Sequence, residues 1–192
     1  MVIKTTGRSA FWLIGCFLPL LLLLAACGEE VPRPENGQPA PEFSLNQLDG
    51  KLLNLKDLRG QLVAVRFWAD WCPFCKEEMS ALRPLYDKHR AQGLVLLAVN
   101  VRQDRATAEA FIKKLGIQYP ALLDETGEVA RRYGVNGLPT TFFIDRQGIL
   151  RGRVLGESTP EIFERIAAPL LTEGKAPATG FPLSPPSPEA LP

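Results

Sequence analysis

The sequence predicts a single α/β layer sandwich, and three observations carry that prediction. Between about Glu42 and Thr172 the hydrophobic periods alternate between sheet and helix. Two mostly apolar runs, 62–68 and 94–101, suit central strands buried on both faces. Of the 17 prolines, four lie between Gly28 and Pro41 and six between Gly174 and Pro192, in flanks without hydrophobic periodicity. Those flanks read as extended linkers, with the tail from Lys175 disordered. The 192 residues are 46% hydrophobic and 22% charged, with 22 basic against 21 acidic side chains. This composition excludes a disordered chain or a polycation, and no polybasic block points to nucleic acid.

Taken in chain order, 43–48 and 51–55 are short strands around Asp49-Gly50, a strong hairpin turn signal. Leu62 to Trp68 is a buried central strand. Cys75, Met79, Leu82 and Tyr86 recur at helical spacing and predict a helix from Pro73 to Gln92, kinked at Pro84. Leu94 to Val101 is the next buried strand. Ala108, Phe111, Ile112 and Leu115 mark a helix capped by Asp104 and stopped by Gly116. A short strand at 121–123 precedes a short helix carrying Val129, Ala130 and Tyr133. The segments 140–145 and 149–155 form a hairpin through Arg146-Gln147-Gly148. Phe163, Ile166, Ala167 and Leu170 stripe a last helix that opens near Thr159-Pro160.

The first residues read as a processing signal. Lys4 and Arg8 supply the positive start, and an uncharged apolar stretch, too short to span a membrane comfortably, runs to Ala25-Ala26-Cys27. Leu24-Ala25-Ala26-Cys27 resembles the bacterial lipobox, in which the cysteine is acylated and becomes the first mature residue. The resemblance implies a signal peptide over 1–26 and a lipidated Cys27; with the proline-rich flanks, the chain divides further into a Pro-rich tether to 41, a folded domain over 42–172 and a Pro-rich tail over 173–192. The protein would then be exported and held on the periplasmic face of a bacterial membrane by its acyl anchor. Gly28, where an aspartate would suggest retention at the inner membrane, leans toward the outer one. Cys16 leaves with the signal, and the mature charge moves to −1, with 20 basic against 21 acidic groups once Lys4 and Arg8 are removed.

The chemistry lies at the junction of the strand ending at Trp68 and the helix opening at Pro73. Cys72 and Cys75, two residues apart at a helix start, are close enough to bridge. The unpaired N–H groups and the dipole of the helix stabilise a thiolate at the first position. In such motifs the first thiol falls from about 8.5 to roughly 3.5–7.5. Cys72 is therefore the candidate nucleophile and Cys75 the resolving thiol. Pro73 suits the first helical turn, where its missing N–H has no partner to lose. Half a zinc site is a competing reading, but no second cysteine pair exists. His89, the only histidine, lies fourteen residues past Cys75, about 21 Å along a helix, and reads as a solvent-face residue. A purely structural disulfide is the other alternative, although so short a loop constrains little of the unfolded chain. Neither a metal nor a cofactor is expected.

Trp71-Cys72-Pro73-Phe74-Cys75 in a strand-to-helix turn, with Gly137-Leu138-Pro139-Thr140-Thr141-Phe142 before the terminal hairpin, resembles the thioredoxin superfamily. The similarity is greatest to its membrane-anchored TlpA/ResA-like branch, which includes the cytochrome c maturation thioredoxins, and covers roughly Gln38 to Leu171. It implies a three-layer sandwich, a central mixed sheet flanked by helices, with an N-terminal β-hairpin and a helix-strand insertion between Asn100 and Asp124. It further implies that the peptide bond before Pro139 is cis, that Leu138 lies beside the thiols, and that Trp71, Pro73, Phe74, Leu138 and Pro139 line the substrate groove. Glu78 matches an acidic residue near the active site of this branch, where it would shuttle protons between thiol and solvent.

Arg66 departs from the pattern, standing where thioredoxins carry a buried Asp and the ResA-like branch often Asn. It cannot accept a proton. A buried charge without a partner would be expensive, so Arg66 is expected to pair with Glu78 or Glu77 and to favour the Cys72 thiolate. The branch implies a reductant of protein disulfides, apocytochrome c among them, drawing electrons from a membrane thiol carrier. Two alternatives belong to other classes. A peroxide-reducing enzyme is one, although Ala69 replaces the threonine expected of it; a non-catalytic binding module using the groove beside Pro139 is the other.

Overall fold

The computed structural model describes residues 33–173. The signal segment, Cys27 and the Pro-rich tail beyond 173 lie outside the described residues. β1 (Ser44–Gln47) and β2 (Leu52–Asn54) form the opening hairpin, and the Asp49 carboxylate accepts from the Lys51 N–H at 3.0 Å inside the turn. A 3₁₀ turn over Leu55–Leu58 follows, burying Leu55 and Leu58. β3 (Leu62–Trp68) is buried at every position. It pairs in parallel with β4 (Leu94–Val101), from Leu62 opposite Leu94 to Trp68 opposite Asn100.

Between these strands the helical stripe expected over 73–92 divides into α1 (Pro73–Ala81), α2 (Arg83–His89) and a 3₁₀ turn over Arg90–Gln92. Pro84 lies in the first turn of α2, where the absent N–H breaks no bond. Leu82, at φ −78° and ψ −11°, keeps right-handed helical backbone between the two helices and donates through its N–H to Glu78 O at 2.9 Å, so the stripe is interrupted at a single residue, beside the expected kink at Pro84. α3 (Arg105–Leu115) starts on Asp104, whose carboxylate accepts from the Thr107 N–H at 2.8 Å. It ends at Gly116 with φ 58°, a left-handed stop that glycine adopts without steric cost.

β5 (Ala121–Asp124), the short α4 (Glu128–Arg132), β6 (Thr140–Ile144), β7 (Leu150–Leu155) and α5 (Pro160–Thr172) complete the described chain. The seven strands run in the order β2-β1-β5-β4-β3-β6-β7, with β3, β4 and β5 parallel and the remaining pairings antiparallel. Alternation along β3 assigns the two faces. Leu62, Ala64 and Trp68 face Met79, Leu82, Ile112 and Phe163 from the helices, whereas Val63, Val65 and Phe67 face Phe43, Leu55, Val129 and Tyr133. These are the two outer layers of the sandwich, and the mixed sheet is the thioredoxin-like one.

Three details differ from the sequence reading. The solvent-face assignment of His89 is wrong: it is 5% exposed, and its Nε2 lies 3.0 Å from Glu164 Oε1. The last turn of α2 packs against α5, which turns the imidazole inward. The end of the expected tether is docked: Gly37 N–H donates to Leu150 O at 2.7 Å, Ala40 N–H to Gly148 O at 3.0 Å, and Tyr133 Oη to Pro41 O at 2.8 Å. Arg146, expected only as a turn residue, is buried. Its guanidinium donates to Leu170 O at 2.9 Å, Glu173 O at 2.6 Å, Leu171 O at 3.1 Å and Gln92 O at 3.4 Å. A cation is thereby set on the orphan carbonyls at the end of α5, where the helix dipole favours it.

Replacing Arg146 with Met strands those carbonyls. The Arg146→Met variant should lose about 2–4 kcal/mol of unfolding free energy, seen as a lower denaturant midpoint with an unchanged m-value. A loss below about 0.5 kcal/mol would mean that water serves the helix end equally well.

Candidate active site

β3 delivers the chain to the site at Trp68, whose indole stacks on Phe111 with centroids 4.8 Å apart. The turn 69–71 follows, and Cys72 is the N-cap of α1, with extended backbone at φ −78° and ψ 113°. Pro73 opens the helix. Cys72 and Cys75 are joined in a disulfide with a Cα separation of 5.4 Å. Cys75, one turn into α1, has no exposed surface, and Cys72 keeps 2%. Around this buried pair two rings stand out from the surface, Trp71 69% exposed and Phe74 54%, with Pro73 exposed between them and the exposed charges of Asp70 and Lys76 flanking them.

The second motif reaches the site through the sheet. The register sets Thr140 of β6 opposite Phe67 and Thr141 opposite Arg66, and continuing it by one residue sets Pro139 level with Trp68. The Leu138–Pro139 bond is cis. Leu138 is half-buried, Pro139 buried, and the Pro139 carbonyl accepts from the Gly156 N–H at 2.8 Å.

Beneath α1, Arg66 is wholly buried. Its guanidinium forms an ion pair with Glu78 and donates to Thr141 Oγ1 at 2.9 Å. Burial pulls the guanidinium down to about 10, still well above neutral pH, so it is a cation here. The other carboxylate oxygen of Glu78 accepts the Ser158 N–H. Glu77, the alternative partner, is exposed. Tyr119 Oη donates to Met79 O at 3.0 Å beside this pair, and burial pushes its phenol upward.

Gln103 is a member of the site that the sequence does not mark. Its carbonyl oxygen accepts from the Asp70 N–H at 3.0 Å and from Asn100 Nδ2 at 2.8 Å, while its Nε2 donates to the Asp70 carboxylate. This clamps the turn before Cys72 to the end of β4. Arg102, with φ 57°, makes the left-handed step immediately before it. A polar residue in a loop carries no periodic signal; only the fold brings it across 33 positions to Asp70.

The family model of the AhpC/TSA family matches residues 36–153. A curated relative, the thiol-disulfide oxidoreductase ResA of Geobacillus thermodenitrificans, is 38% identical over 150 residues, covering 74% of this chain and 86% of its own length. The chain belongs to the ResA-like thiol-disulfide oxidoreductases of the AhpC/TSA family. Among solved structures, a thioredoxin-family thiol:disulfide interchange protein of Chlorobium tepidum is similar with a TM-score of 0.64 at 28% identity, covering 73% of this chain and 98% of its own. StoA of Bacillus subtilis is similar at 0.59 and 27%, covering 67% and 97%. This ResA-like chain is thus a protein-disulfide oxidoreductase, and its Cys72–Cys75 bond is the pair suited to that chemistry.

After reduction, Cys72 at the rim should react with iodoacetamide at least about tenfold faster than Cys75 at pH 7, with the midpoint of its pH dependence below about 8.5. Peptide mapping by mass spectrometry reads both rates. Equal rates would remove the distinction between nucleophile and resolving thiol.

Proposed function

We propose that this protein is an exported, lipid-anchored reductant of protein disulfides. The observation that carries the reading is the joined Cys72–Cys75 pair at the start of α1, rimmed by exposed Trp71 and Phe74. In the reduced form, the Cys72 thiolate attacks one sulfur of a substrate disulfide, forms a mixed disulfide and expels the other sulfur as a thiolate. Cys75, once its proton has left, attacks Cys72 Sγ, restores the internal bond and expels the second substrate sulfur. Two electrons pass to the substrate, and a membrane thiol carrier returns them.

Trp71, Pro73, Phe74, Leu138 and Pro139 form the groove for an extended substrate segment in this reading, with apolar area supplied chiefly by the two exposed rings. The lipobox-like sequence at Cys27 supports an extracytoplasmic, membrane-anchored location, with the tether continuing to the docked residues 37–41. Gly28 favours the outer membrane. The substrate class is an extracytoplasmic protein whose cysteines must be kept open, apocytochrome c being the one that the resemblance suggests. Peroxide reduction draws no support from the turn before Cys72, where buried Ala69 offers no hydroxyl.

A Cys75→Ala variant expressed in cells should accumulate substrate proteins as mixed disulfides on Cys72, resolved by non-reducing electrophoresis and lost in Cys72→Ser. Capture of nothing, together with rapid turnover of dilute peroxide by the unmodified protein, would overturn the proposal in favour of peroxide chemistry. Radiolabelled palmitate should enter the full chain and be lost on replacing Cys27 with Ala.

A further inference from the structure

The ion pair under the cysteine helix joins parts of the chain that the exchange reaction must keep in register. Arg66 comes from the middle of β3, Glu78 from α1 one turn beyond Cys75, Thr141 from β6 two residues after Pro139, and Ser158 from the loop before α5. Each contributes a polar group with almost no exposed surface. An isolated carboxylate at such depth would take up a proton, because burial disfavours its charged form. Glu78 instead receives a guanidinium and a backbone N–H, both of which favour the anion. The titratable groups facing it from the packed elements are Arg66 of β3 and Tyr119 beside Met79; on its own helix Cys75 lies one turn before it, and Arg83 lies beyond Tyr119. Among the described residues, the other buried charged groups are engaged elsewhere: His89 with Glu164, Asp124 with the α4 amides, and Asp145 and Arg146 at the β6–β7 turn.

We propose that Arg66 holds Glu78 as a permanent carboxylate anion, withdraws it from proton traffic, and makes the pair a positioning strut that sets the cysteine helix against the Pro139 loop. The inference rests on the thiol-exchange reading and deepens it. Glu78 is then a positioning residue rather than a proton shuttle, and the thiols titrate without a coupled buried acid. It also limits the pull of Arg66 on Cys72, since an adjacent anion cancels most of the field of the cation. A buried pair of this kind tolerates loss of both charges better than loss of one.

The test is the pH dependence of Cys72 alkylation in the reduced full chain, from pH 4 to 10, which needs no substrate. The unmodified protein should follow one ionisation. Arg66→Asn should follow two, the new one lying above the ordinary glutamate value of about 4.3, because it leaves Glu78 buried and unpaired. Arg66→Asn combined with Glu78→Gln removes both charges and should return the curve to one ionisation. A merely structural role would change stability in these variants without changing the number of ionisations. Two ionisations in the unmodified protein, one of them absent from the double variant, would overturn the proposal, as would a single one in a folded Arg66→Asn. Should Arg66→Asn fail to fold, the unmodified protein and the double variant still decide the matter. Normal alkylation in a protein that captures no disulfide substrate would instead count against the exchange reading alone.

Discussion

A guanidinium without solvent contact sits in the centre of the sheet, and the carboxylate that makes it tolerable comes from the helix bearing the cysteines. Burying Arg66 alone would cost several kcal/mol after relaxation. β3 therefore cannot be packed on both faces unless α1 lies over it in the one register that presents Glu78. The pairing of β6 with β3 separately sets Thr141 opposite Arg66 and Pro139 level with Trp68, just before the turn to Cys72. The position of the Cys72–Cys75 pair near Pro139 is in this sense tied to satisfying one buried cation.

Around that centre the site is divided by polarity. The buried ion pair lies beneath α1, the sulfurs at its first turn, and the rings of Trp71 and Phe74 outside. An extended peptide carrying a disulfide would meet apolar rings and backbone before it meets a thiol. Gln103 and Asn100 hold the turn before Cys72 from the β4 side, so Cys72 is fixed from two directions, by a polar clamp above and an ion pair below. Such convergent support is what holds a reactive thiol at the reach of an incoming sulfur.

Much of this was legible because the signals are local. The seven buried positions of β3 read as an apolar run despite Arg66, Asp104 and Gly116 bracket α3 as cap and stop, and Asp49-Gly50 marks its hairpin. The misread features share one cause, since each depends on what arrives from a distant segment. His89 looks solvent-facing on its own helix until α5 covers it with Glu164 beside the ring. Arg146 stands in a turn, and only the end of α5, more than twenty residues on, shows that it is a helix cap. The tether prolines predict an extended linker, and only the fold shows that Gly37 and Ala40 hydrogen-bond to the β6–β7 hairpin.

By itself the sequence determined the fold class, a cysteine pair close enough to bridge and the need for Arg66 to find an acid, because hydrophobic period, Cys-x-x-Cys spacing and the cost of a buried charge act over a few residues. Tertiary structure decided which acid answers. Glu77 and Glu78 are neighbours, and one step along a helix rotates a side chain by about 100°, so only the docking of α1 on the sheet selects Glu78 for the interior and leaves Glu77 in solvent. It also decided that Ser158, Thr141 and Gln103 belong to the site, since a polar side chain declares its partner only when the fold removes water from between them.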